Sequence, residues 1–495
     1  MNLAASSLVP IPADVRVTEG EHFDLREPFA LEGDAAASVL FTALLAAHGT
    51  PRSDATRTIT FRQTDGGARE SYRLRADASA ILVEGTDAAG LQHGVHTLAQ
   101  LITADGTIPA VEIADAPRFA HRGLMLDVAR HFFPVEVIER LIDRAAGLKL
   151  NALHLHLSDD QGWRLALRSH PELAARGSAS AARGDAGGHY SREDYARIVA
   201  HAASRHVTVI PEIDVPGHTH ALGLSHPELV TEPVLSDAVL EVVAEHGGGI
   251  PAAGEPYTGF AVGFSSLRTH DEATYALLTD IFGELAELTP GPYLHFGGDE
   301  SLGTSAEDYA AFIARASGIV AATGKTPIAW HEAGAVPGLA RGTVGQYWGF
   351  LSPTDGMDDD ARAFVANGGR LILSPADAVY LDMKDAPDTP LGLTWANAPT
   401  TVERAYSWEP TEIIDGVSES DILGVEAALW TETIATEAEL ETMVFPRLAA
   451  AAEVAWSPPA SRSWDSFRER LAQLAIDWEA DGIRFTRTAG VAWRS

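Results

Sequence analysis

The feature that most constrains the fold is an alternation of short apolar runs with amphipathic helical segments from residue 121 onward. A strand buried on both faces of a parallel sheet reads as a short continuous apolar run, and a helix connects it to the next strand. Eight parallel strands close a (β/α)8 barrel. The sequence therefore predicts an α/β fold built on a (β/α)8 TIM barrel. The eight runs are GLMLDVA, NALHLHLSD, VTVIPEID, YLHFGGDES, TPIAWHEAG, GTVGQYWG, GRLILSPAD and ILGVEAALW.

An open, doubly wound sheet is the alternative architecture for eight parallel strands. That fold binds phosphate at a glycine-rich turn of the type GxGxxG, directly after its first strand. The first apolar run here is followed by RHFFPVEV, which contains no glycine. The barrel is therefore the favoured prediction.

The residues before the barrel predict a small separate domain. Two extended segments, TRTITFRQT and ESYRLRADASAILVEG, read as strands, and DAAGLQHGVHTLAQLI has apolar positions at helical spacing. The proline-containing segment IPAVEIADAPRFAHRG then leads into the barrel pattern. We expect an N-terminal α+β domain at residues 1–117 and a catalytic barrel with C-terminal helices at residues 118–495.

Composition argues against several classes of partner. Lys and Arg number 36 against 69 Asp and Glu, which gives a formal net charge of −33. Such a charge repels phosphate backbones and anionic lipid surfaces, so neither nucleic acid nor a membrane is an expected partner. Cysteine is absent, which removes thiolate metal sites and cysteine nucleophiles. No signal-peptide pattern is legible at the start, so we expect a cytoplasmic protein, or a secreted one if a signal peptide was removed.

Carboxylates and tryptophans lie at the ends of the predicted strands. In a barrel, the active site is built at the carboxyl ends of the strands. Carboxylates accept hydrogen bonds from sugar hydroxyls, and indole rings stack on the apolar faces of a sugar. The rim therefore predicts a carbohydrate pocket. The residues at these ends are Asp127, Arg130, Asp159, Asp160, Trp163, Glu212, Asp214, His218, Asp299, Glu300, Trp330, His331, Glu332, Tyr347, Trp348, Asp377, Tyr380, Asp382, Trp430 and Glu432.

Asp299 and Glu300 are adjacent and follow two glycines at the end of the run YLHF. Two neighbouring carboxyls raise the pKa of one of them, as a general acid at neutral pH requires. The carboxyl pair of an ordinary glycosidase flanks the scissile bond at about 5–9.5 Å separation. Adjacent residues do not span a substrate in that way, so the pair favours a reaction in which the substrate's own 2-acetamido group is the nucleophile.

Five motifs resemble those of the glycoside hydrolase family 20 β-N-acetylhexosaminidases. The resemblance covers about residues 118–460, and residues 1–117 look like the small domain that precedes the barrel in that family. It implies an exo-acting hydrolase that removes terminal β-linked GlcNAc or GalNAc with retention, through an oxazolinium ion and without a metal or other cofactor. Chitin degradation is one implied context, and the oligomeric state is not implied. The motifs are HRGLMLDVARHFF (121–133), HLHLSDDQGWR (154–164), PEIDVPGH (211–218), HFGGDES (295–301) and YLDMK (380–384).

The resemblance also implies roles for individual residues. Glu300 is implied as the general acid and then base, Asp299 as the group that orients the acetamido N–H, and Tyr380 as a donor to the acetamido oxygen. Asp159 and His218 resemble a supporting relay behind Glu300. The remaining implied substrate contacts are Arg122, Trp330, Trp348, Asp382, Trp395, Trp430 and Glu432.

Two other interpretations remain open. The pairs His154/His156 and His218/His220 have the HxH spacing that binds zinc in barrel amidohydrolases. Alternation along a strand would instead place His154 and His156 on one side, as pocket lining. A non-catalytic sugar-binding protein would share the aromatic rim but would release no nitrophenol from a nitrophenyl β-N-acetylglucosaminide.

Overall fold

The computed structural model describes residues 7–18, 21–45, 50–52, 55–397 and 399–493. The chain forms two compact units. The first unit comprises the described residues up to Arg122, together with Asp143–Leu150 and those from Ala449 onward. The second comprises Gly123–Ile142 and Asn151–Leu448.

The N-terminal part of the first unit is an α+β layer. Its elements are β1 (Asp14–Val17), β2 (Phe23–Asp24), β3 (Ala30–Gly33), α1 (Ala35–Leu44), β4 (Thr58–Gln63), β5 (Tyr72–Ala76), β6 (Ala80–Gly85), α2 (Ala88–Gln100), β7 (Thr107–Ile108) and β8 (Val111–Asp115). The main sheet has the order β1-β8-β5-β6-β4-β3, and β2 pairs with β7. Asp34 and Asp87 cap the two helices by accepting from Ala37 N and Gly90 N.

One segment of this unit differs from the sequence prediction. ESYRLRADASAILVEG, predicted as one strand, forms the two antiparallel strands β5 and β6. The chain reverses at Asp77, whose Oδ1 accepts hydrogen bonds from the backbone N–H groups of Ser79 and Ala80. An aspartate that bonds its own backbone two residues on is a turn former, and that signal outweighs the alternating strand pattern on either side of it.

The rest of the chain contains the barrel. Its elements in chain order are β9 (His121–Asp127), α3 (Val135–Gly147), β10 (Ala152–His156), β11 (Ser158–Asp159), β12 (Gly162–Trp163), α4 (Pro171–Gly177), α5 (Arg192–Ser204), β13 (Thr208–Glu212), α6 (His220–Gly223), α7 (Asp237–His246), α8 (Glu272–Leu288), β14 (Tyr293–His295), α9 (Ala306–Ala322), β15 (Thr326–Trp330), β16 (Val344–Tyr347), α10 (Met357–Ala366), β17 (Leu371–Leu373), α11 (Ala376–Val379), α12 (Val402–Tyr406), β18 (Ile422–Leu429), α13 (Glu437–Val444), α14 (Arg447–Trp456) and α15 (Trp464–Ala480).

The barrel is closed, with the strand order β10-β13-β14-β15-β16-β17-β18-β9, and β9 pairs in parallel with β10. All eight predicted strands are present, so the barrel is confirmed and the open sheet is wrong. Strands β9, β10 and β18 are buried at every position, which explains why most of their residues are apolar. Branched side chains fill the interior, among them Ile210, Ile328, Val344, Ile372 and Leu423.

The C-terminal helices do not follow the predicted domain boundary. Trp456 at the end of α14 is fully buried in the apolar core of the first unit. Arg470 of α15 forms a buried ion pair with Glu453 and donates to the carbonyl of Leu8 at 2.6 Å. A buried arginine needs such partners. The segment from Ala449 onward therefore belongs to the first unit by packing, whereas the sequence analysis assigned it to the barrel.

Two long connections lie at the carboxyl ends of the barrel strands. One follows β10 and contains α4, and the other follows β13 and contains α6 and α7. The second has its own apolar cluster of Val239, Tyr257, Ala261 and Phe264, so it is a packed loop. Within the described residues, no helix has the length and apolarity needed to cross a bilayer.

Candidate active site

The turn that carries the adjacent carboxyls is shaped by two glycines. Gly297 and Gly298 have positive φ values of 70° and 101°. A Cβ at Gly297 would lie 1.7 Å from Asp214 Oδ1, so only glycine fits there. The same Asp214 oxygen accepts from the N–H of Gly298 at 3.0 Å. Glu300 follows with φ 43°, a conformation that is rare outside glycine and is held here by the packed turn.

Glu300 has the acidity expected of a general acid. Burial raises its pKa to about 7; the charge of His218 opposes this shift and the charge of Asp299 adds to it. Its side chain is nevertheless 33% exposed. Glu300 is thus a carboxyl that holds a proton near neutral pH and remains reachable from the pocket.

His218 lies close to both carboxyls and to the buried Asp159. Its Nε2 lies 3.7 Å from Asp299 Oδ2 and 3.6 Å from Glu300 Oε2, and its Nδ1 lies 3.2 Å from Asp159 Oδ1. Although burial opposes it, the surrounding carboxylates, Asp159 first, raise the pKa of His218 well above its usual value. The carboxylates around His218 therefore favour the protonated form of its imidazole.

Asp159 is the anion behind this histidine. Its Oδ2 lies 2.9 Å from an Arg130 nitrogen and 2.8 Å from His156 Nε2. Against the effect of burial, the charges of Arg130 and His218 hold the pKa of Asp159 well below its usual range. The structure thus brings Asp159, His218, Asp299 and Glu300 together as the sequence analysis predicted.

Arg122 does not belong to this group, which corrects the sequence analysis. Arg122 is the second residue of β9, far from the carboxyl end of that strand. Its guanidinium is fully buried and donates to Phe119 O, Lys149 O and the Glu70 carboxylate. Its position near the start of β9, away from the carboxyl ends of the strands, gives it a structural role in the first unit.

Arg130, in contrast, lies at the rim of the barrel. It follows the carboxyl end of β9, donates to Gln161 at 3.1 Å and lies 5.0 Å above the ring of Trp430. Opposing the effect of burial, neighbouring carboxylates, Asp159 first and Glu432 among them, raise its pKa well above the usual value. Both arginines are in the motif HRGLMLDVARHFF. Their positions relative to the end of the strand distinguish them, because only Arg130 follows that end.

The tryptophans and Tyr380 form a connected aromatic wall. The ring centroids are 6.0 Å apart for Trp348 and Trp395, 5.8 Å for Trp395 and Tyr380, and 6.2 Å for Tyr380 and Trp430. Trp395 is 47% exposed, so it offers a free face to a ligand. Burial raises the pKa of Tyr380 well above its usual value, so its hydroxyl remains a donor.

Trp330 lies deeper than predicted. It has no exposed surface, its ring centroid is 5.9 Å from that of Trp430, and its Nε1 donates to Glu212 Oε1 at 2.9 Å. It therefore supports the wall, whereas the sequence analysis assigned it a direct substrate contact.

Asp382 and Glu432 are acidic residues near the aromatic wall. Asp382 is 2% exposed, and neither of its carboxylate oxygens has a hydrogen-bond partner among the described residues. Burial raises the pKa of Asp382 well above its usual value, and the charge of Glu432 adds to the shift. Buried polar atoms without protein partners need a hydrogen bond from water or from a ligand.

The paired histidines of β10 form an ion network. His154 lies 3.1 Å from Glu212 Oε2 and 2.9 Å from Glu426 Oε1, and His156 contacts Glu212 and Asp159. These carboxylates outweigh burial and raise the pKa of His154 to about 9. Both ring nitrogens of His154 thus contact carboxylates within the barrel, an arrangement that favours the pocket-lining interpretation.

Glu332 was named among the strand ends but given no role. Its carboxylate accepts from Trp348 Nε1 at 3.0 and 3.1 Å. Burial raises its pKa well above the usual value, and the charge of Asp299 adds to the shift. Glu332 thus fixes the orientation of one indole in the wall, which only the folded distances reveal.

Both the N-terminal region and the barrel region of the chain match models of one known protein family. The model of glycosyl hydrolase family 20, catalytic domain, matches residues 119–309 and 301–459, and that of domain 2 of the family matches residues 5–116. The β-N-acetylhexosaminidase of Cellulomonas fimi is 39% identical over 513 residues, covering 98% of this chain and 97% of the relative.

Solved structures agree with this relationship. A glycoside hydrolase family 20 β-N-acetylglucosaminidase has a TM-score of 0.93 and 54% identity, covering 99% of this chain and 100% of that one. The family 20 β-N-acetylhexosaminidase from Streptomyces coelicolor A3(2) has a TM-score of 0.89 and 40% identity, covering 99% of each chain. A mutant Streptomyces plicatus β-hexosaminidase in complex with its product GlcNAc has a TM-score of 0.88 and 39% identity, covering 100% and 98%. The chain belongs to glycosyl hydrolase family 20, as a glycoside hydrolase of the β-N-acetylhexosaminidase type.

Proposed function

We propose that the protein removes terminal, non-reducing β-linked GlcNAc or GalNAc from glycans by a retaining, substrate-assisted reaction. The observation that carries this proposal is the adjacency of Asp299 and Glu300 on one turn, with the pKa of Glu300 raised to about 7. Two neighbouring carboxyls leave the opposite face of the sugar without a protein nucleophile, and an acetamido group on the substrate supplies one.

In the first step, the Glu300 carboxyl donates its proton to the glycosidic oxygen. The acetamido carbonyl oxygen attacks the anomeric carbon, the bond to the leaving oxygen breaks, and a cyclic oxazolinium ion forms. In the second step, the Glu300 carboxylate takes a proton from water while the water oxygen attacks the same carbon. The ring opens and the acetamide is restored, so the configuration is retained after two inversions.

Asp299 is the group that this cation needs. Its Oδ1 is buried and has no hydrogen-bond partner among the described residues, so it is available to accept from the acetamido N–H. A fixed carboxylate beside a developing positive charge stabilises the transition state more than the ground state. The Tyr380 hydroxyl is the donor for the acetamido oxygen.

Arg130, Asp382 and Glu432 support exo action. Arg130 stacks on Trp430, and the Asp382 carboxyl is buried without partners of its own among the described residues. Charged and polar groups that bind the hydroxyls of a terminal sugar recognise a chain end. Trp395, with its exposed face, is then free to stack on the departing part of the glycan.

The test is hydrolysis of 4-nitrophenyl β-GlcNAc and β-GalNAc, followed by proton NMR to identify the first anomer released. We expect nitrophenol release from one or both substrates and the β-anomer of the free sugar as first product. The α-anomer as first product would contradict a retaining reaction. No nitrophenol release would restore the non-catalytic interpretation. Rates on chitooligosaccharides then test whether chitin fragments are substrates.

A further inference from the structure

The same five residues, SHPEL, occur twice in the chain, at 169–173 and 225–229. The first copy starts α4 and the second starts the short 3-10 helix Pro227–Leu229, and in each copy the histidine is the N-cap residue before a proline. The two copies lie on the long connections after β10 and β13. They bring His170 and His226 together, with ring centroids 5.5 Å apart and planes at 68°.

A carboxylate oxygen lies between the two imidazoles. Glu172 Oε1 is 3.2 Å from His226 Nε2 and 3.5 Å from His170 Nδ1. One donor atom from each of the three side chains lies within 4.8 Å of the other two. A tetrahedral zinc ion at about 2.0–2.2 Å from each ligand separates its ligands by about 3.3–3.6 Å. The two distances to Glu172 Oε1 are therefore close to the ligand spacing of a tetrahedral zinc site.

The contact of His170 Nε2 with Asp280 determines which ring nitrogen carries the proton. His170 Nε2 lies 3.1 Å from Asp280 Oδ2 on α8. A carboxylate only accepts hydrogen bonds, so Nε2 carries the proton, and in the neutral ring Nδ1 is a lone pair that faces Glu172. A histidine that donates to a carboxylate through one nitrogen while the other faces a metal is the usual arrangement of zinc ligands.

His226 is oriented in the same sense by Ser225. Ser225 Oγ lies 2.9 Å from both Leu222 O and His226 Nδ1. When the hydroxyl donates to the carbonyl, its oxygen accepts from Nδ1, and the unprotonated nitrogen of the neutral ring is then Nε2, which faces Glu172. In this pair of tautomers, two lone pairs and a carboxylate oxygen face one another, and a cation between them would satisfy all three.

We propose that His170, Glu172 and His226 bind a divalent transition-metal ion, with Asp280 and Ser225 orienting the two imidazoles. Two imidazoles and one carboxylate are the ligand types that suit Zn²⁺. Three protein ligands leave a fourth position for water. The ion would join the connections after β10 and β13, which carry Asp159 and His218, and would stabilise the folded chain because the unfolded chain lacks the site.

The experiment measures zinc binding to the full-length protein after chelator treatment and buffer exchange, by equilibrium dialysis and by the rise in Tm with added ZnCl2. We expect one zinc ion per chain and a higher Tm. His170→Asn and His226→Asn should each weaken zinc binding more than tenfold. Asp280→Asn should weaken it about 10- to 100-fold, as the loss of an orienting partner does. His270→Asn is the matched control, because this exposed histidine pairs with Asp308 at 2.7 Å outside the cluster.

Glu172→Gln is a second variant if a histidine substitution impairs folding, because the Glu172 side chain is 40% exposed. The Tm of every variant in chelator identifies the folded ones. Absence of stoichiometric zinc in the wild type would overturn the proposal. A proton on a histidine of the cluster would then take the place of the metal ion. Zinc binding that survives in the folded His226→Asn and Glu172→Gln variants would also overturn it. Hydrolysis of the nitrophenyl substrates is a separate readout that these variants should leave near the wild-type value.

Discussion

His218 Nε2 lies 3.6 Å from Glu300 Oε2, so a buried histidine lies beside the proposed general acid. Burial raises the pKa of Glu300 to about 7, and the positive charge of His218 opposes this shift. The reaction requires protonated Glu300, so kcat/KM for a poor leaving group should fall as the pH rises above about 7.

Replacement of His218 by Asn should therefore move this alkaline limb upward. An opposite charge within about 4–6 Å shifts a carboxyl pKa by about 1–3 units, so the limb should rise by at least about 1 pH unit. The maximal rate should fall as well, because Asp299 loses the same neighbour. The measurement is a pH profile of kcat/KM for both proteins. A limb that stays in place, or moves downward, would show that His218 does not set the acidity of Glu300.

Glu300→Gln removes the transferable proton and keeps the size of the side chain. General acid catalysis contributes about 10²- to 10⁴-fold, so hydrolysis of chitobiose should fall by that factor. A nitrophenyl leaving group needs little protonation and should lose less. Glu307→Gln, on the exposed face of α9, is the control and should match the wild type. Equal losses on both substrates would argue against an acid role.

Arg130 and Arg122 should differ in their effect on catalysis. Arg130→Ala should lower kcat/KM by about 100-fold, or about 2.7 kcal/mol, and should also lower Tm because the buried Asp159 loses a partner. Arg122→Ala leaves Glu70 buried without this partner and should cost about 3–5 kcal/mol of unfolding free energy. Its kcat per folded molecule should stay near the wild-type value. Chemical denaturation and steady-state kinetics on both variants measure these effects. A large kcat/KM loss for folded Arg122→Ala would show that Arg122 contacts the substrate.

Gly297→Ala tests whether the packed turn positions the carboxyls. The added Cβ would lie 1.7 Å from Asp214 Oδ1, and φ is 70° there. Strain of about 1–3 kcal/mol and a displaced Asp299 are expected, with kcat reduced more than KM is raised. Gly283→Ala on α8 meets no atom within 4 Å and is the matched control. Wild-type kcat in Gly297→Ala would mean that the turn tolerates the displacement.

The barrel was predictable because each strand is buried and its carboxyl end carries polar residues. Asp299 and Glu300 illustrate this, since their position at the end of an apolar run locates them at the rim. The errors arose where position depends on packing. Arg122 and Arg130 share one motif, and only the end of β9 at Asp127 separates the buried arginine from the one at the rim.

Local sequence patterns do not predict contacts between residues that are far apart in the chain. Trp456 is an apolar residue on a helix near the C-terminus, and nothing in its local pattern shows that the N-terminal core receives it. Glu332 and Trp348 are 16 residues apart, and their hydrogen bond depends on the packing of neighbouring strand ends. Hydrophobic periodicity reports which face is buried, and it does not identify the partner.

The participation of the substrate's acetamido group is tested most directly with nitrophenyl β-glucosaminides that carry N-acetyl, N-fluoroacetyl, N-difluoroacetyl and N-trifluoroacetyl groups. Each fluorine withdraws electrons from the carbonyl oxygen that Asp299 and Tyr380 are proposed to orient. Substrate-assisted catalysis predicts that kcat/KM falls steeply along this series, by orders of magnitude from the first to the last member. A kcat/KM that stays constant across the series would contradict the proposed mechanism.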